Sequence, residues 1–377
     1  MLKSRYRLVA VFIVCLLILS ACSGGNSGNG NDSDEDQIEL RMAWWGSQVR
    51  HEKTLQVIEL FEDKYPHITI KPEYTGDGYF EKLGTTIAGG NAPDIFQLGN
   101  NYPDYVNRGA VLDLTPYVGE QIKLDDFDQN TIDSGKMNGK LYAVNLGSNA
   151  SAYFYNKTLL EENDIPLPPE SWTWEEFADY HKQALEKLGD GYYGFADQSG
   201  YWAYFNYFAR QNGQAMYVEG EGMKFDEQLV HDWLSMWKNF RDEGLIPDAE
   251  TSATFTGGVD NSLLVEGKMI GEVTWTNQFV GYSDAMEDEL GMTLLPQDGP
   301  IPGLWIQPSQ FMSGNANTDY PEEVAAFINF MVMDPEATAI LGNERGIPGS
   351  AAAREALKEK AGPVELQIYN YFEKAQE

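Results

Sequence analysis

The chain has 377 residues, 26 of them basic against 58 acidic, and a formal net charge of −32. A charge of that size repels nucleic acid and anionic membrane surfaces, which excludes polyanionic partners outside a local basic pocket. Aromatic residues make up 13% of the chain, with 9 Trp and 21 Tyr, more than packing alone requires; their flat apolar faces and polar edges suit sugar rings.

At the N-terminus Lys3, Arg5 and Arg7 precede a run of twelve residues, Leu8 to Leu19, apolar apart from small Ala10 and Cys15. A bilayer core of about 30 Å needs roughly 20 apolar residues to span, so residues 1–21 read as a secretory signal. Leu19-Ser20-Ala21-Cys22 resembles the lipobox of bacterial lipoproteins, in which the signal is cut before the Cys and the Cys receives lipid. The alternative is a cut elsewhere that leaves a free thiol. Cutting before Cys22 discards Cys15, the other cysteine, so no disulfide forms. Loss of the three basic residues leaves 23 basic against 58 acidic, a mature charge of −35. The roughly 340 residues that remain are ample for a core and predict two lobes. Ser23–Asp36 contains no apolar residue, so 22–36 reads as a lipidated Cys with a flexible tether of about 20 Å reach. Asp32, Asp34 and Asp36 alternate there, but without the Gly and distal Glu of a calcium loop they read as solvated charge.

The folded part opens with Ile38-Glu39-Leu40-Arg41-Met42-Ala43-Trp44-Trp45, alternating and then apolar, a strand that Gly46 ends. Leu55, Ile58, Phe61 and Tyr65 fall at helical spacing, and Pro66 stops the helix. Ile68 and Ile70 mark a second strand broken at Pro72. Phe80, Leu83 and Ile87 mark a second helix closed by Gly89-Gly90, and Asp94 to Leu98 a third strand. This alternation predicts an α/β fold with a parallel sheet covered by helices. Asn138-Gly139, between Met137 and Leu141, predicts a hairpin turn. Thr173 and Glu176 predict a capping box for a helix bearing Phe177, Tyr180, Ala184 and Leu188. Leu229, Trp233, Met236, Trp237 and Phe240 trace another helix. Val324, Phe327, Ile328 and Met331 trace a further one, and Asp334-Pro335 starts the next.

Several pieces in order resemble the family 1 extracellular solute-binding proteins of carbohydrate ABC importers. They are the signal and tether, the opening strand ending in Trp-Gly, the helix ending at Phe61-Glu62-Asp63-Lys64-Tyr65-Pro66, and Gly89-Gly90-Asn91-Ala92-Pro93-Asp94-Ile95. Gly139-Lys140-Leu141-Tyr142-Ala143-Val144, Tyr155-Asn156-Lys157, Trp172-Thr173-Trp174-Glu175-Glu176-Phe177 and Ala325-Ala326-Phe327-Ile328-Asn329-Phe330 come after them. The resemblance implies a two-lobed, periplasmic-binding-protein-like (type II-like) fold, hinged, with an oligosaccharide in the cleft. It puts 37–146 with approximately 272–313 in lobe 1, and 147–271 with approximately 314–377 in lobe 2. Trp44 to His51 and Glu344 to Pro348 look most like binders of plant-cell-wall oligosaccharides, including pectin (rhamnogalacturonan) fragments. Family members carry more helix beyond the position of Tyr371, so the end at Glu377 reads as a truncation or as loss of the closing helices.

Ligands of open α/β sheets bind beyond the carboxyl ends of the strands, so the segments after the strands supply the candidate contacts. Of Trp44 and Trp45, one is expected to pack inward and the other to face the cleft, because successive strand residues alternate. Asp77 suits sugar hydroxyls or a helix cap, and Tyr79 lies beside it. Asn100, Asn101 and Tyr102 follow the third strand; Asn both donates and accepts, and Asn101 is equally suited as an N-cap. Asn149 lies at the expected hinge crossing. Trp275, with Asn277 and Gln278 after another apolar strand, is where the family positions an aromatic platform. Trp305 and Trp202 are candidates for the rim or the core. For an acidic sugar, Arg345 is the expected carboxylate clamp, while Arg50 reads rather as a surface ion pair.

Enzyme chemistry fits poorly. The four His (His51, His67, His181, His231) have no metal spacing, and there is no nucleophile elbow or phosphate loop. So many acids guarantee chance carboxylate pairs, which leaves a surface glycan hydrolase as the alternative to capture, together with a sugar-sensing subunit. The expectation is a non-enzymatic monomer with no cofactor or metal. It is held on the extracytoplasmic face of the cell membrane by lipid alone, with an oligosaccharide and importer permeases as partners and no nucleic acid.

Overall fold

The computed structural model describes residues 37–218, 222–255 and 258–376. The chain divides into two units, Met1–Gln37 and Ile38–Glu377. The signal, Cys22 and the tether lie outside the described residues; the sheets, helices and cavities described below belong to the second unit.

The main strands, in chain order, are β1 (Ile38–Trp45), β2 (Ile68–Thr75), β3 (Ile95–Leu98), β4 (Val144–Asn149), β5 (Ser151–Asn156), β6 (Tyr193–Phe195), β7 (Met269–Trp275), β8 (Leu290–Thr293) and β9 (Gln307–Gly314). They form a five-stranded sheet in the order β2-β1-β3-β9-β4 and a four-stranded sheet in the order β8-β5-β7-β6. In the first sheet β1 runs parallel to β2 and β3, whereas β9 is antiparallel to β3 and β4. In the second, β5 is antiparallel to β7 and β8, and β6 is parallel to β7.

Alternation along β1 covers both faces of the first sheet. Leu40, Met42 and Trp44 enter the core shared with α1 (Gln48–Lys64) and a later helix, Pro321–Met333, while Ala43 packs with Tyr79, Leu83 and Phe96 on the other face. Pro72 does not break β2, because β2 is an edge strand and its missing N–H faces no partner. The buried stripe of α1 is Thr54, Val57, Ile58 and Phe61, turned from the expected one: Leu55 and Tyr65 are exposed. Thr54 sits at the core position because its hydroxyl donates to the Arg50 carbonyl at 2.6 Å.

Other local expectations hold in detail. Asn138 and Gly139 have φ of 53° and 78° and join Lys136–Met137 to Lys140–Leu141. Thr173 and Glu176 form a reciprocal capping box on the helix Trp174–Leu188. Asp334 caps Pro335–Leu341 by accepting from the N–H groups of Glu336 and Ala337.

The division into halves differs from the expected one. Met269–Trp275 and Leu290–Thr293 pair within the second sheet, and only Gln307–Gly314 returns to the first. The apolar stripe of Pro321–Met333 packs into the first core, whereas Ile368, Tyr369, Tyr371 and Phe372 of Pro363–Gln376 pack into the second. Pairing and packing assign these segments, since a strand or helix belongs where its polar backbone and apolar face are satisfied. The chain thus crosses between halves at Ala150, before Gln307, and again in 344–350. There Ser148 and Ile347 exchange two backbone hydrogen bonds of 2.8 Å. Gly147 permits this approach: a Cβ there would lie 2.4 Å from the Arg345 carbonyl oxygen.

Candidate functional site

Beside the crossings lies a cavity of about 590 Å³ with walls from both halves. Asp128, Thr131 and Ser134, with Asn145 and Ser148 of β4, form one wall; Arg210, Pro302, Leu304 and Trp305 form the other. Asp128 is the N-cap of the helix Gln129–Asp133, and both its oxygens accept from Thr131. Asn145 donates to the Ser148 hydroxyl at 2.9 Å and accepts from the Gly147 N–H at 2.7 Å.

An aromatic wall continues from this cavity over the second half. Trp202 and Trp305 meet edge to face with ring centroids 6.4 Å apart. Tyr201 contacts Trp202 and Tyr204, and Tyr204 stacks on Trp275 at 6.5 Å. Tyr201 is 39% exposed and Trp202 49%, high values for rings of this size that are not spent on the core. Trp275 and Trp305 are half-buried. Such amphipathic faces, framed by hydroxyl and amide groups, can stack on sugar rings and bond their hydroxyls.

The candidates divide clearly. Trp275 and Trp305 belong to the wall. Asn149 is half-buried at the first crossing, and its Oδ1 is buried there with no hydrogen-bond partner among the described residues. Trp45 is half-buried at the end of β1 against Tyr79 and Phe80. Asp77, Asn100 and Asn277 are exposed, and Gln278 is half-buried. Asn101 makes no side-chain cap; its Oδ1 accepts from the Gly99 N–H instead.

Four candidates turn into the protein, correcting the expectation. Trp44 is fully buried in the first core, so the inward member of the Trp pair is Trp44. Tyr79 is buried with its hydroxyl donating to the Ala43 and Gln97 carbonyls. Tyr102 is buried against Phe311 and donates to the Lys136 carbonyl. Arg345 is 2% exposed, with Nη2 on the Thr54 hydroxyl at 2.7 Å; burial, then the nearby Arg50, push its pKa down to about 9. It clamps no ligand from there. Arg50 does form an ion pair, but a largely buried one with Glu344.

Sequence reasoning missed Tyr201, Arg210 and the polar residues Asp128, Thr131, Asn145 and Ser148. The segment after β6 held the available signal for Tyr201, a ring in the loop beyond a strand's carboxyl end. Arg210 had none, because its surroundings come from a loop 93 residues later.

A second cavity, of about 90 Å³, is lined by the second half alone and includes Glu272 and Ser262. Ser262 donates to Glu272 at 2.6 Å, and burial raises the carboxyl's pKa. This space is far smaller than the first cavity and touches only one half. Among the described residues no group of three or more His, Cys, Asp or Glu converges as a metal set.

Comparisons with known proteins agree with this geometry. The sequence profile described as bacterial extracellular solute-binding protein matches residues 56–362. A putative binding protein of Brucella abortus is 32% identical over 145 residues, 38% of this chain and 34% of that protein. The chain thus spans about a third of the length of the first curated relatives it matches. Among solved structures, an extracellular solute-binding protein family 1 member from Alicyclobacillus acidocaldarius superposes with a TM-score of 0.79 at 30% identity, covering 90% of this chain and 86% of that one. A periplasmic oligogalacturonide binding protein from Yersinia enterocolitica gives 0.77 at 28% identity, with the same coverage.

Proposed function

The chain belongs to the bacterial extracellular solute-binding protein family, and we propose that it captures an oligosaccharide in the cleft and presents it to the membrane permease of an ABC importer. The observation that carries this reading is the aromatic wall of Tyr201, Trp202, Trp275 and Trp305 beside a cavity walled by both halves. Rings stack on the sugar from the second half. Trp45, Asp77, Asn100, Asn101 and Asn149 of the first half, with Asn277 and Gln278, offer amides, carboxylate and indole to its hydroxyls. A ligand touching both halves favours the closed form by the difference in its affinity for the two forms, and closure makes the surface the permease recognises. Affinity then comes from stacking and hydrogen bonds, with no bond in the sugar made or broken. Lipid on Cys22 would hold the protein, as a monomer, on the extracytoplasmic face of the membrane. The oligogalacturonide-binding relative supports a sugar ligand.

The test is calorimetric titration with oligosaccharides from pectin, xylan and starch, followed by chromatography of the recovered sugar. Saturable binding with the sugar intact supports capture. New reducing ends would replace it with hydrolysis, and no heat from any of the panel would remove the sugar reading.

A further inference from the structure

Arg210 stands out among the cationic groups at the cleft. On a chain with 58 acidic residues, most Lys and Arg find carboxylates, as Arg41 does with Glu73 and Arg241 with Asp197. Among the described residues Arg210 has no carboxylate partner. Its Nε donates to the Gly303 carbonyl at 3.2 Å and its Nη2 to that of Leu304 at 3.5 Å, while Nη1 has no partner among those residues. Glycine at 303 is what lets this loop close on the helix Trp202–Gln211: a Cβ there would lie 2.6 Å from the Tyr207 carbonyl oxygen. The two carbonyls fix the guanidinium in the cavity wall next to Trp305.

We infer that this cavity reads a carboxylate on the captured oligosaccharide, so that the ligand is a uronate-bearing chain. The inference rests on the capture reading above. A guanidinium held by neutral carbonyls is oriented but not neutralised, and its planar fork matches a carboxylate in two-point geometry. Half-burial disfavours its charge, lowering its pKa with no ionic partner to raise it, and an anionic ligand would supply that compensation. The carboxylate on the opposite wall, Asp128, already has both oxygens on Thr131 at a helix start, so it is fixed away from the role of counter-ion. Trp202 and Trp305 lie alongside, where the ring carrying the carboxylate would stack.

The experiment titrates the full chain and its Arg210→Gln variant with trigalacturonate, its methyl ester, and a neutral xylotriose. Native-like melting and circular dichroism certify the variant; if Arg210→Gln does not fold, Arg210→Lys, which keeps the charge but loses the fork, replaces it. Wild type is expected to bind the acid at least about tenfold tighter than its ester, and Arg210→Gln to bring that ratio of affinities to about one. Arg210→Lys is expected to bind the acid with intermediate affinity. Equal affinity for acid and ester, or an equal loss of both in the variants, overturns the inference. Binding of the neutral sugar alone overturns it too but leaves capture standing, whereas no binding of any probe removes both.

Discussion

Arg50 and Glu344, 294 positions apart, meet through two guanidinium nitrogens: Nε lies 2.8 Å from Oε2 and 3.1 Å from Oε1 of the carboxylate, and Nη2 donates to the Glu344 carbonyl at 3.4 Å. The side chains are 13% and 12% exposed, so the pair is shielded from solvent and ties the first turn of α1 to the third crossing. Exposed pairs such as Lys71–Glu39 contribute about 0–1 kcal/mol. Arg50→Ala is expected to cost about 2–3 kcal/mol in urea unfolding, because it strands a largely buried carboxylate. A cost below that of Lys71→Ala would show the pair to be incidental.

Arg345 should behave in the opposite way. Its Nε and Nη1 are buried without hydrogen-bond partners among the described residues, and the carboxylate 3.8 Å from Nη1, that of Glu344, is already engaged by Arg50. The charge is therefore expensive where it stands. Arg345→Met keeps the shape and removes the charge. Stability is expected to stay within about 1 kcal/mol of wild type or to rise, with sugar affinity unchanged. Loss of sugar binding in a stably folded Arg345→Met would return this residue to the site.

Acid should weaken the second half through His181. Burial pushes its pKa down to about 3, from an ordinary 6.5. The ring is neutral in the fold: Nδ1–H donates to the Phe177 carbonyl and Nε2 accepts from the Tyr153 hydroxyl, both at 2.7 Å. In the unfolded chain it takes a proton below about pH 6.5, so stability falls as pH drops from 6.5 towards 3 and is unaffected above. Between pH 7 and 4.5 this group should cost about 2–3 kcal/mol. Urea titrations of wild type and of the Tyr153→Phe, His181→Leu pair should show that increment in the first and not in the second.

Stacking predicts an asymmetry between two tryptophans. Trp202 is half exposed, so Trp202→Ala should reduce oligosaccharide affinity by about tenfold with little effect on the melting temperature. Trp275 also packs on Tyr204, so Trp275→Ala should lower both affinity and stability. Fluorescence titration and a melting curve on each variant separate the two, and unchanged affinity in both would remove the aromatic wall from the site.

How much of the molecule is legible in the sequence depends on the range of each interaction. The Thr173–Glu176 box and the Asn138-Gly139 turn are settled within four residues, and both are legible. Strand alternation distinguishes Trp44 from Trp45 but does not say which of them turns inward. Tyr79 and Tyr102 sit just where ligand contacts are sought, after strands, yet carbonyls contributed by distant segments take their hydroxyls. The expected boundary between halves failed for the same reason: apolarity marks 269–275 as a strand, while its partner, Ser151–Asn156, lies more than a hundred residues earlier.

The insertion of β9 between β3 and β4 has a consequence for how the molecule is made. Until Gln307–Gly314 has emerged, β3 and β4 have no bridge between them, and the first sheet waits with two unpaired edges. Helix Pro321–Met333, which closes its core, comes later still. Long-range pairing of this kind makes for slow folding. The first half therefore becomes rigid only once its final segments arrive.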